Sequence, residues 1–542
     1  MADSERPSAR KGVARRFGQR QHVARLPLAS CHAVNASLHI YGRRLSMSPY
    51  HTPRGTWMLN RRELLKGGAL TVAVFNGVLP GLRVSAQGLR IRRDVATLSD
   101  DDDTLRALRQ FVAEMRARPA GKLPNWATLY SIHGTLTDGF NKCPHRNWFF
   151  LPWHRAYMEM YENLVIDLTG YTQFALPYWN WTEQRSYPAS FTAPIANGLP
   201  NPLQSPASGD APKRLRKTLA LTDADVGRAR IVTLLQEPNF ELFGSSRPLD
   251  EQDNPQNNTD QAWLTRQGTW GEFETAPHNR VHLAVGGAEP NDTQGYMGWA
   301  ESAHDPIFIV HHTNVDRLWT SWRGVNPLES IWRDMEFTNN FVRADGSLYS
   351  VKVADLLDNT QRGYAYDKLE DVAVRPGAGD ASRLLLPAPL PSGQRVRALP
   401  ASRGAGSLAP LRFPQLAPGS ALAYALRAGD DVYAVLRDIT LGPHVVGARV
   451  FVNLPGSAAE ATTSAPQFVA EIAFISGHHH SPEHDRFSVS LNLGPALRRL
   501  ASQNLLIDDA LSLQIVPVFP EDLDPRRREG TVMPAAVDIG VP

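Results

Sequence analysis

The stretch from His278 to Trp319 constrains this chain more than any other part of it. It reads PHNRVHLAVGG and, further on, SAHDPIFIVHHTNVDRLW. His278 and His282 stand at i and i+4, so on a helix of about 3.6 residues per turn both imidazoles lie on one face and can share a metal. Further on, His312 opens a segment in which Asp316 and Trp319 follow at i+4 and i+7, placing a ligand, a charge and an apolar anchor along one stripe. Three imidazoles leave a metal position open, which marks a reactive site rather than a structural one. A second triad lies upstream in IHGTLTDGFNKCPHRNWFFLPWHRAYMEMYENLV: His133, His145 and His154. On a single helix His145 and His154 would point in opposite directions. Pro152 resolves this, because it disfavours helix at Leu151 and suits a first helical turn; His154 then belongs to that turn and His145 to the loop before it. Arg155, Glu159 and Glu162 fall on the same helix and are expected to hold the imidazoles in place.

The net charge of +3 and the pI near 8.8 invite a nucleic-acid reading, but the charge is unevenly placed. Residues 1–86 carry fourteen Lys and Arg against three acidic residues, so the remainder nets −8 and presents no basic binding surface. From Asn60 the sequence NRRELLK leads into the apolar run GGALTVAVFNGVLPGL and the small residues Val84-Ser85-Ala86. This resembles a twin-arginine export signal with Arg61 and Arg62 as the pair, and implies a periplasmic or secreted protein that meets the export machinery. The run is shorter than the roughly 20 residues needed to cross a bilayer, so no stable membrane anchor is expected. Residues 1–57 look too long and polar for a signal, which makes Met47 or Met58 the alternative start. Cys31 lies in this segment, leaving Cys143 alone in the mature chain and no intramolecular disulfide.

The organisation that follows is α+β. A polar start at Ser99–Asp103 opens an amphipathic helix in which Leu105, Leu108, Phe111, Val112 and Met115 keep helical spacing. From Arg375 to about Ser420 the chain is rich in Pro, Gly, Ala and Ser and reads as a flexible linker. After it, ALAYALRAGDDVYAVLRDI, ARVFVNLPG, FVAEIAFISG, RFSVSLNL and LSLQIVPVF alternate apolar and polar residues between turns, as in an antiparallel β-sandwich or small barrel. The expected division is therefore 1–86 extension and signal, 87–374 catalytic domain, 375–420 linker and 421–542 β-domain.

Together the two triads and their flanks, HRNWFFLPWHR, HNRVH, GG and DPIFIVHHTNVDRLW, resemble the type-3 dicopper proteins: tyrosinases, catechol oxidases and haemocyanins. The resemblance implies a mainly α-helical dicopper domain built on a four-helix bundle, two copper ions and O2 as co-substrate. Residue by residue, it implies His133, His145 and His154 at the first copper and His278, His282 and His312 at the second, with His311 a neighbour and His304 structural. It implies phenol and catechol substrates, oxidised to o-quinones, and a copper donor as a further partner. Glu274 and Asn279 match a pair that holds a water as base for monophenols. Leu283 leaves the substrate mouth uncharged, Phe308 resembles a copper-shielding phenylalanine, and Cys143 has the spacing for a thioether to His145. Trp332–Asp367, with Tyr364 and Tyr366, is similar to the segment after the copper domain of plant polyphenol oxidases, whose β-domain covers the site. The cluster His478–His480 with His484 is read as a solvated loop, with transient copper capture as the sharper alternative. A catechol oxidase confined to o-diphenols and a haemocyanin-like oxygen binder are the rival readings. A dizinc hydrolase would add bridging carboxylates that both all-histidine triads lack.

Overall fold

The computed structural model describes residues 88–540, apart from positions 136 and 141 and the stretches 206–220, 251–255, 257–258, 288–294, 326–332, 373–395, 399–410, 413–430, 456–460, 476–486, 506–510 and 521–522. The arginine pair of the export signal and the His478–His480 and His484 cluster therefore lie outside the described residues.

One apolar core gathers the helices. Helix α1 (Asp103–Ala117) starts at Asp102, whose carboxylate accepts the Thr104 N–H at 2.9 Å, and it buries Leu105, Leu108, Phe111, Val112 and Met115 as their spacing predicts. Short α2 (Trp126–Ser131) is capped by Asn125 in the same way. Helix α3 (Phe150–Thr169) has Pro152 in its first turn and ends at Gly170, whose φ of 70° is a left-handed cap that favours glycine. Nearly every residue of α3 from Phe150 to Glu162 is buried, so it runs through the core rather than along its surface. Helix α4 (Arg280–Gly286) is entered through a π-helical turn at Glu274–Asn279, where Pro277 lacks an N–H and Ala276 (φ −154°, ψ 113°) breaks the helical course. The expected single helix under His278 and His282 is thus a π–α junction. Helix α5 (Ile307–Val325) carries His312 and packs on α3.

A buried carboxylate ties these parts together. On α5, Asp316 accepts from Arg155 of α3 at 2.5 Å and from Arg92 of strand β1 (Arg90–Arg92) at 3.0 Å. Beyond the β2–β3 hairpin (Glu336–Val342, Leu348–Lys352), strand β4 (Tyr364–Tyr366) pairs in parallel with β1 and sends both tyrosine hydroxyls to the same carboxylate. This corrects the role expected for three charged residues of α3. Arg155 serves Asp316, Glu159 pairs with Arg362, and Glu162 takes Arg90 and Arg92. Each lies roughly 80–140° around the helix from His154, so that face looks away from the imidazoles.

The second core is a β-sandwich. Strands β5 (Val396–Ala398), β6 (Leu411–Arg412), β7 (Tyr433–Leu441), β8 (Gly447–Val452), β9 (Phe468–Ala473), β10 (Phe487–Asn492), β11 (Ser512–Val518), β12 (Val532–Met533) and β13 (Ala536–Gly540) form two antiparallel sheets. Their orders are β10-β7-β13-β5, with β12 also on β7, and β9-β8-β11-β6. Leu436, Val489 and Val537 of the first sheet share one apolar cluster with Val450, Ile472 and Leu513 of the second. Strands β5 and β6 fall inside the stretch expected as linker, so two of its pieces are edge strands, where short Pro- and Gly-flanked segments are tolerated. Helix α6 (Gly494–Ser502), unforeseen among the strands, has Pro at its start and buries Leu497 and Leu500.

Removing the Asp316 carboxylate leaves Arg92 and Arg155 buried without a counter-charge. Asp316→Ala should cost ~3–5 kcal/mol, seen as a lower urea midpoint. A loss below about 1 kcal/mol, the usual worth of an exposed pair, would overturn this account of the hub.

Candidate metal centre

The two triads assemble from different elements. His133 follows α2, His145 comes from the loop before α3, and His154 is the fifth residue of α3 itself. Their ring centroids are 5.3, 5.6 and 5.4 Å apart, a near-equilateral triangle. In the second triad the separations are 4.6 Å for His278–His282, 5.0 Å for His278–His312 and 5.4 Å for His282–His312. The triads face each other, with His154 stacked on His312 at 4.3 Å. Phe308 stands between them, 4.9 Å from His133 and 4.1 Å from His312.

Backbone carbonyls set the tautomers. Nδ1 of His133 donates to the Ala300 carbonyl at 2.6 Å, His154 to Phe150 at 2.8 Å and His282 to Met297 at 2.8 Å. His278 Nδ1 donates to the Asn279 side-chain oxygen at 2.9 Å. In each of these four rings Nε2 then carries the lone pair, the form a metal requires; that of His154 lies 3.2 Å from the Cys143 sulfur and that of His282 3.2 Å from His312 Nε2. His133 Nε2 and His278 Nε2 are buried without a hydrogen-bond partner, as are Nδ1 of His145 and of His312. Burial, reinforced by neighbouring imidazoles, keeps the rings neutral: His133 is lowered to about 3, His282 to about 4, and the others fall well below the usual range. Neutral, convergent and undersupplied nitrogens fit a pair of copper ions, for which imidazole is a suitable ligand.

His311 also reaches the second cluster. The Trp181 indole N–H, which can only donate, points at His311 Nδ1 at 3.2 Å. Neutral His311 then carries its proton on Nε2, which is buried without a partner, and its one lone pair, on Nδ1, is engaged by the indole. His304 stands apart, its ring stacked between Tyr130 at 4.2 Å and Tyr296 at 4.0 Å. Cys143 is buried with its sulfur 3.2 Å from His154 Nε2, whereas the resemblance pointed it at His145. Gly286 serves the second triad indirectly. A Cβ there would lie 2.1 Å from the Gly298 nitrogen, so only glycine lets the loop bring the Met297 carbonyl onto His282.

Glu274 is fully buried. Its oxygens accept the Arg146 main-chain N–H at 2.9 and 3.1 Å and the Ser245 hydroxyl. Both donors sit at positive φ, 56° for Arg146 and 93° for Ser245, a strained backbone for side-chain-bearing residues. Burial pushes the Glu274 carboxyl up to about 7, against the opposing pull of Ser245 and Arg146. Asn279 is equally buried, and its amide donates to the Ala473 carbonyl of β9 at 3.0 Å. Leu283 packs with Ala473 and Ile475, and Phe140 lies against that cluster and 4.0 Å from His145. The expected mouth is thus lined from both domains. Phe140, Ser245, Ala473 and Ile475 were not legible as site residues, since none carries metal or acid–base chemistry and only the fold brings them there.

Two facing histidine triads carried on helices, with a β-sandwich after them, are an arrangement that could hold two metal ions. Residues 124–325 match the family described as the common central domain of tyrosinase. The chain is 29% identical over 392 residues to the tyrosinase HcTyr1 of Hahella sp. (strain CCB-MM4), covering 64% of this chain and 77% of that one. It is 25% identical over 309 residues to the (+)-larreatricin hydroxylase of Larrea tridentata, covering 52% of this chain and 50% of that protein, so it spans about half the length of this plant relative. Among solved structures, latent aurone synthase aligns with a TM-score of 0.56 at 19% identity over 84% of this chain and 89% of that one. Latent apple tyrosinase aligns at 0.55 and 20% over 84% and 98%. These two share the fold, β-domain included. Residues 124–325 thus carry a tyrosinase-family central domain, and the relatives similar to this chain are tyrosinases and polyphenol oxidases.

The neutral buried histidines make the metal-free protein acid-sensitive. Unfolded imidazoles take up protons below about 6.5, while His133 and His282 stay neutral down to about 3 and 4. The unfolded state then binds more protons, and stability should fall as pH drops from about 6.5, by ~1.4 kcal/mol per pH unit for each such histidine. Urea midpoints of the metal-free protein that stay level between pH 7 and pH 5 would contradict this.

Proposed function

We propose that this protein is a copper-dependent phenol oxidase, using O2 to hydroxylate monophenols at the ortho position and to oxidise o-diphenols to o-quinones. The observation that carries the reading is the pair of facing triads whose tautomers leave nitrogen lone pairs directed inward. His133, His145 and His154 would hold one copper and His278, His282 and His312 the other, with His311 held out of the ligand set by Trp181. When bound, the copper pair supplies the two electrons that dioxygen takes up alongside oxidation of the substrate. The protein's own part is to exclude bulk water with Phe308 and the apolar mouth at Leu283, and to take the phenolic proton.

Glu274 is suited to that proton transfer. A carboxyl lifted to about 7 is a far better base than an ordinary one near neutral pH, and Asn279 shares with it the polarisation of a bound water. The thioether between Cys143 and His145 belongs to the same proposal: the thiol S–H and a His145 ring C–H would give way to an S–C bond, a two-electron oxidation for which bound copper with O2 would be the oxidant, read as a mass lower by two hydrogens. The Arg61–Arg62 signal supports a periplasmic or secreted site of action.

A latent state is supported by the contacts of β9 and the residues after it with Asn279 and Leu283. Cutting the chain within 375–420 should raise kcat/KM on catechols; unchanged rates would reject latency.

Oxygen uptake by the copper-loaded protein tests the reaction itself. Turnover on both tyrosol and a catechol is expected, and catechol turnover alone would make it a diphenol oxidase. Glu274→Gln should lower kcat/KM on tyrosol by about 10²–10⁴ while leaving catechol oxidation within a few-fold. Because the base works deprotonated, the wild-type monophenol rate should rise with pH through about 7, a limb absent from the catechol profile.

A further inference from the structure

Where the helical domain meets the β-sandwich lies a cavity of about 650 Å³, within the range of small-molecule sites. Helix Arg228–Leu235 contributes Arg230 and Leu234, α6 contributes Arg499, and Phe243 and Phe468 supply aromatic wall. The Arg230 side chain is 10% exposed; its guanidinium meets Glu272 at 2.9 Å, but its Nε is buried without a partner. Arg499, an exposed residue at the edge of the cavity, donates to the Phe468 carbonyl; partial burial of its guanidinium, and then the positive charges of Arg230 and Arg498, lower its pKa.

The acids nearby do not offset both cations. Arg498 already occupies Asp431 at 3.0 Å, and Asp223 at the rim is engaged by Arg185. Burial, with Asp431 and Glu272 adding to it, pushes Glu237 up to about 8, so this carboxyl is largely protonated at neutral pH. Among the described residues, Glu272 is left to balance two guanidiniums, and it also accepts the Asn492 N–H.

We propose that this cavity binds an organic anion with a compact apolar or aromatic body, its carboxylate or sulfonate held by Arg230 and Arg499 and its body against Leu234, Phe243 and Phe468. A guanidinium matches such a head group with charge-assisted hydrogen bonds. Both domains build the site, so an occupant stabilises the arrangement in which the β-domain lies over the mouth. Binding is independent of the phenol-oxidase reading; only its effect on turnover rests on that reading.

Isothermal titration of the metal-free full chain with naphthalene-1-sulfonate tests the binding. One saturable site is expected, with affinity at least tenfold weaker in Arg499→Met and unchanged in Arg526→Met, an exposed arginine of the β-domain. Thr233→Trp, which fills the cavity from a half-buried position, should abolish binding while leaving both arginines in place. It also keeps the test valid should Arg499→Met fail to fold. No saturable binding, or wild-type affinity in both variants, overturns the proposal. In the copper-loaded protein the probe should slow catechol oxidation in wild type and not in Thr233→Trp. Binding without that difference overturns the link to closure and leaves the oxidase reading untouched.

Discussion

Everything at the metal centre depends on the carboxylate of Asp316. It lies one helical turn beyond His312, and the groups it collects come from three other places in the chain: Arg155 beside His154, Arg92 at the start of the described chain, and the Tyr364–Tyr366 strand. The two helices that carry the stacked rings of His154 and His312 are therefore clamped by one ion. Both arginines and the carboxylate are almost fully buried, where an ion pair gains little over apolar packing but fixes geometry, because losing either partner strands a charge. A site that must hold six imidazoles within a fraction of an ångström uses that property. Arg92 also stacks 3.5 Å over Tyr364, so the segment that closes the domain is held by the same residue.

The second constraint is the tautomer. A buried neutral imidazole offers one lone pair, and which nitrogen carries it is decided by what the other nitrogen touches. Main-chain carbonyls at Ala300, Phe150 and Met297 make that decision for three of the triad imidazoles. A carbonyl cannot be changed by substitution, only moved, so the demand passes to the backbone: the contact of Gly286 with Gly298, and the regular i−4 geometry of α3 that delivers Phe150 to His154. Trp181 applies the same rule in reverse, occupying Nδ1 of His311 and leaving it a histidine without a free lone pair. Adjacent histidines on one helix thereby acquire different chemistry.

This explains which parts were legible in the sequence. The triads, the Pro152 start of α3, helix α1 and the strands from Tyr433 to Val518 are local patterns of spacing and turn residues. Arg155, Glu159 and Glu162 were misread because charge near a histidine in sequence says nothing about helical phase; one residue turns the side chain by roughly 100°. The π-turn at Ala276–Pro277 was missed because an i, i+4 histidine pair looks the same from either side of such a junction. Strands β5 and β6 were hidden by Pro- and Gly-rich surroundings, and their pairing partners lie over a hundred residues away. Carbonyl partners leave no trace in a sequence at all.

The segment from Trp270 to Asn279 joins the two domains through the centre rather than around it. Trp270 exchanges main-chain hydrogen bonds with Ser488 and Ser490 of β10 and stacks on Phe487 at 5.0 Å, so a catalytic-domain residue completes the β-domain core. Two residues on, Glu272 accepts the Asn492 N–H; two further, Glu274 takes its donors from Arg146 and Ser245; then come His278 and Asn279, the latter bonded to Ala473. Arg146 closes the circuit, its amide on Glu274 and its guanidinium 5.1 Å over Trp270 and 5.0 Å over Phe487. The carboxyl whose pKa is lifted by burial is thus buried partly by how this short segment is pinned to the β-domain. Displacing that domain would release the amide of Asn279 from the Ala473 carbonyl and take Phe487 from under the Arg146 guanidinium. The environment of the Glu274 carboxyl and the placement of Asn279 beside His278 are, in this architecture, tied to the same short segment.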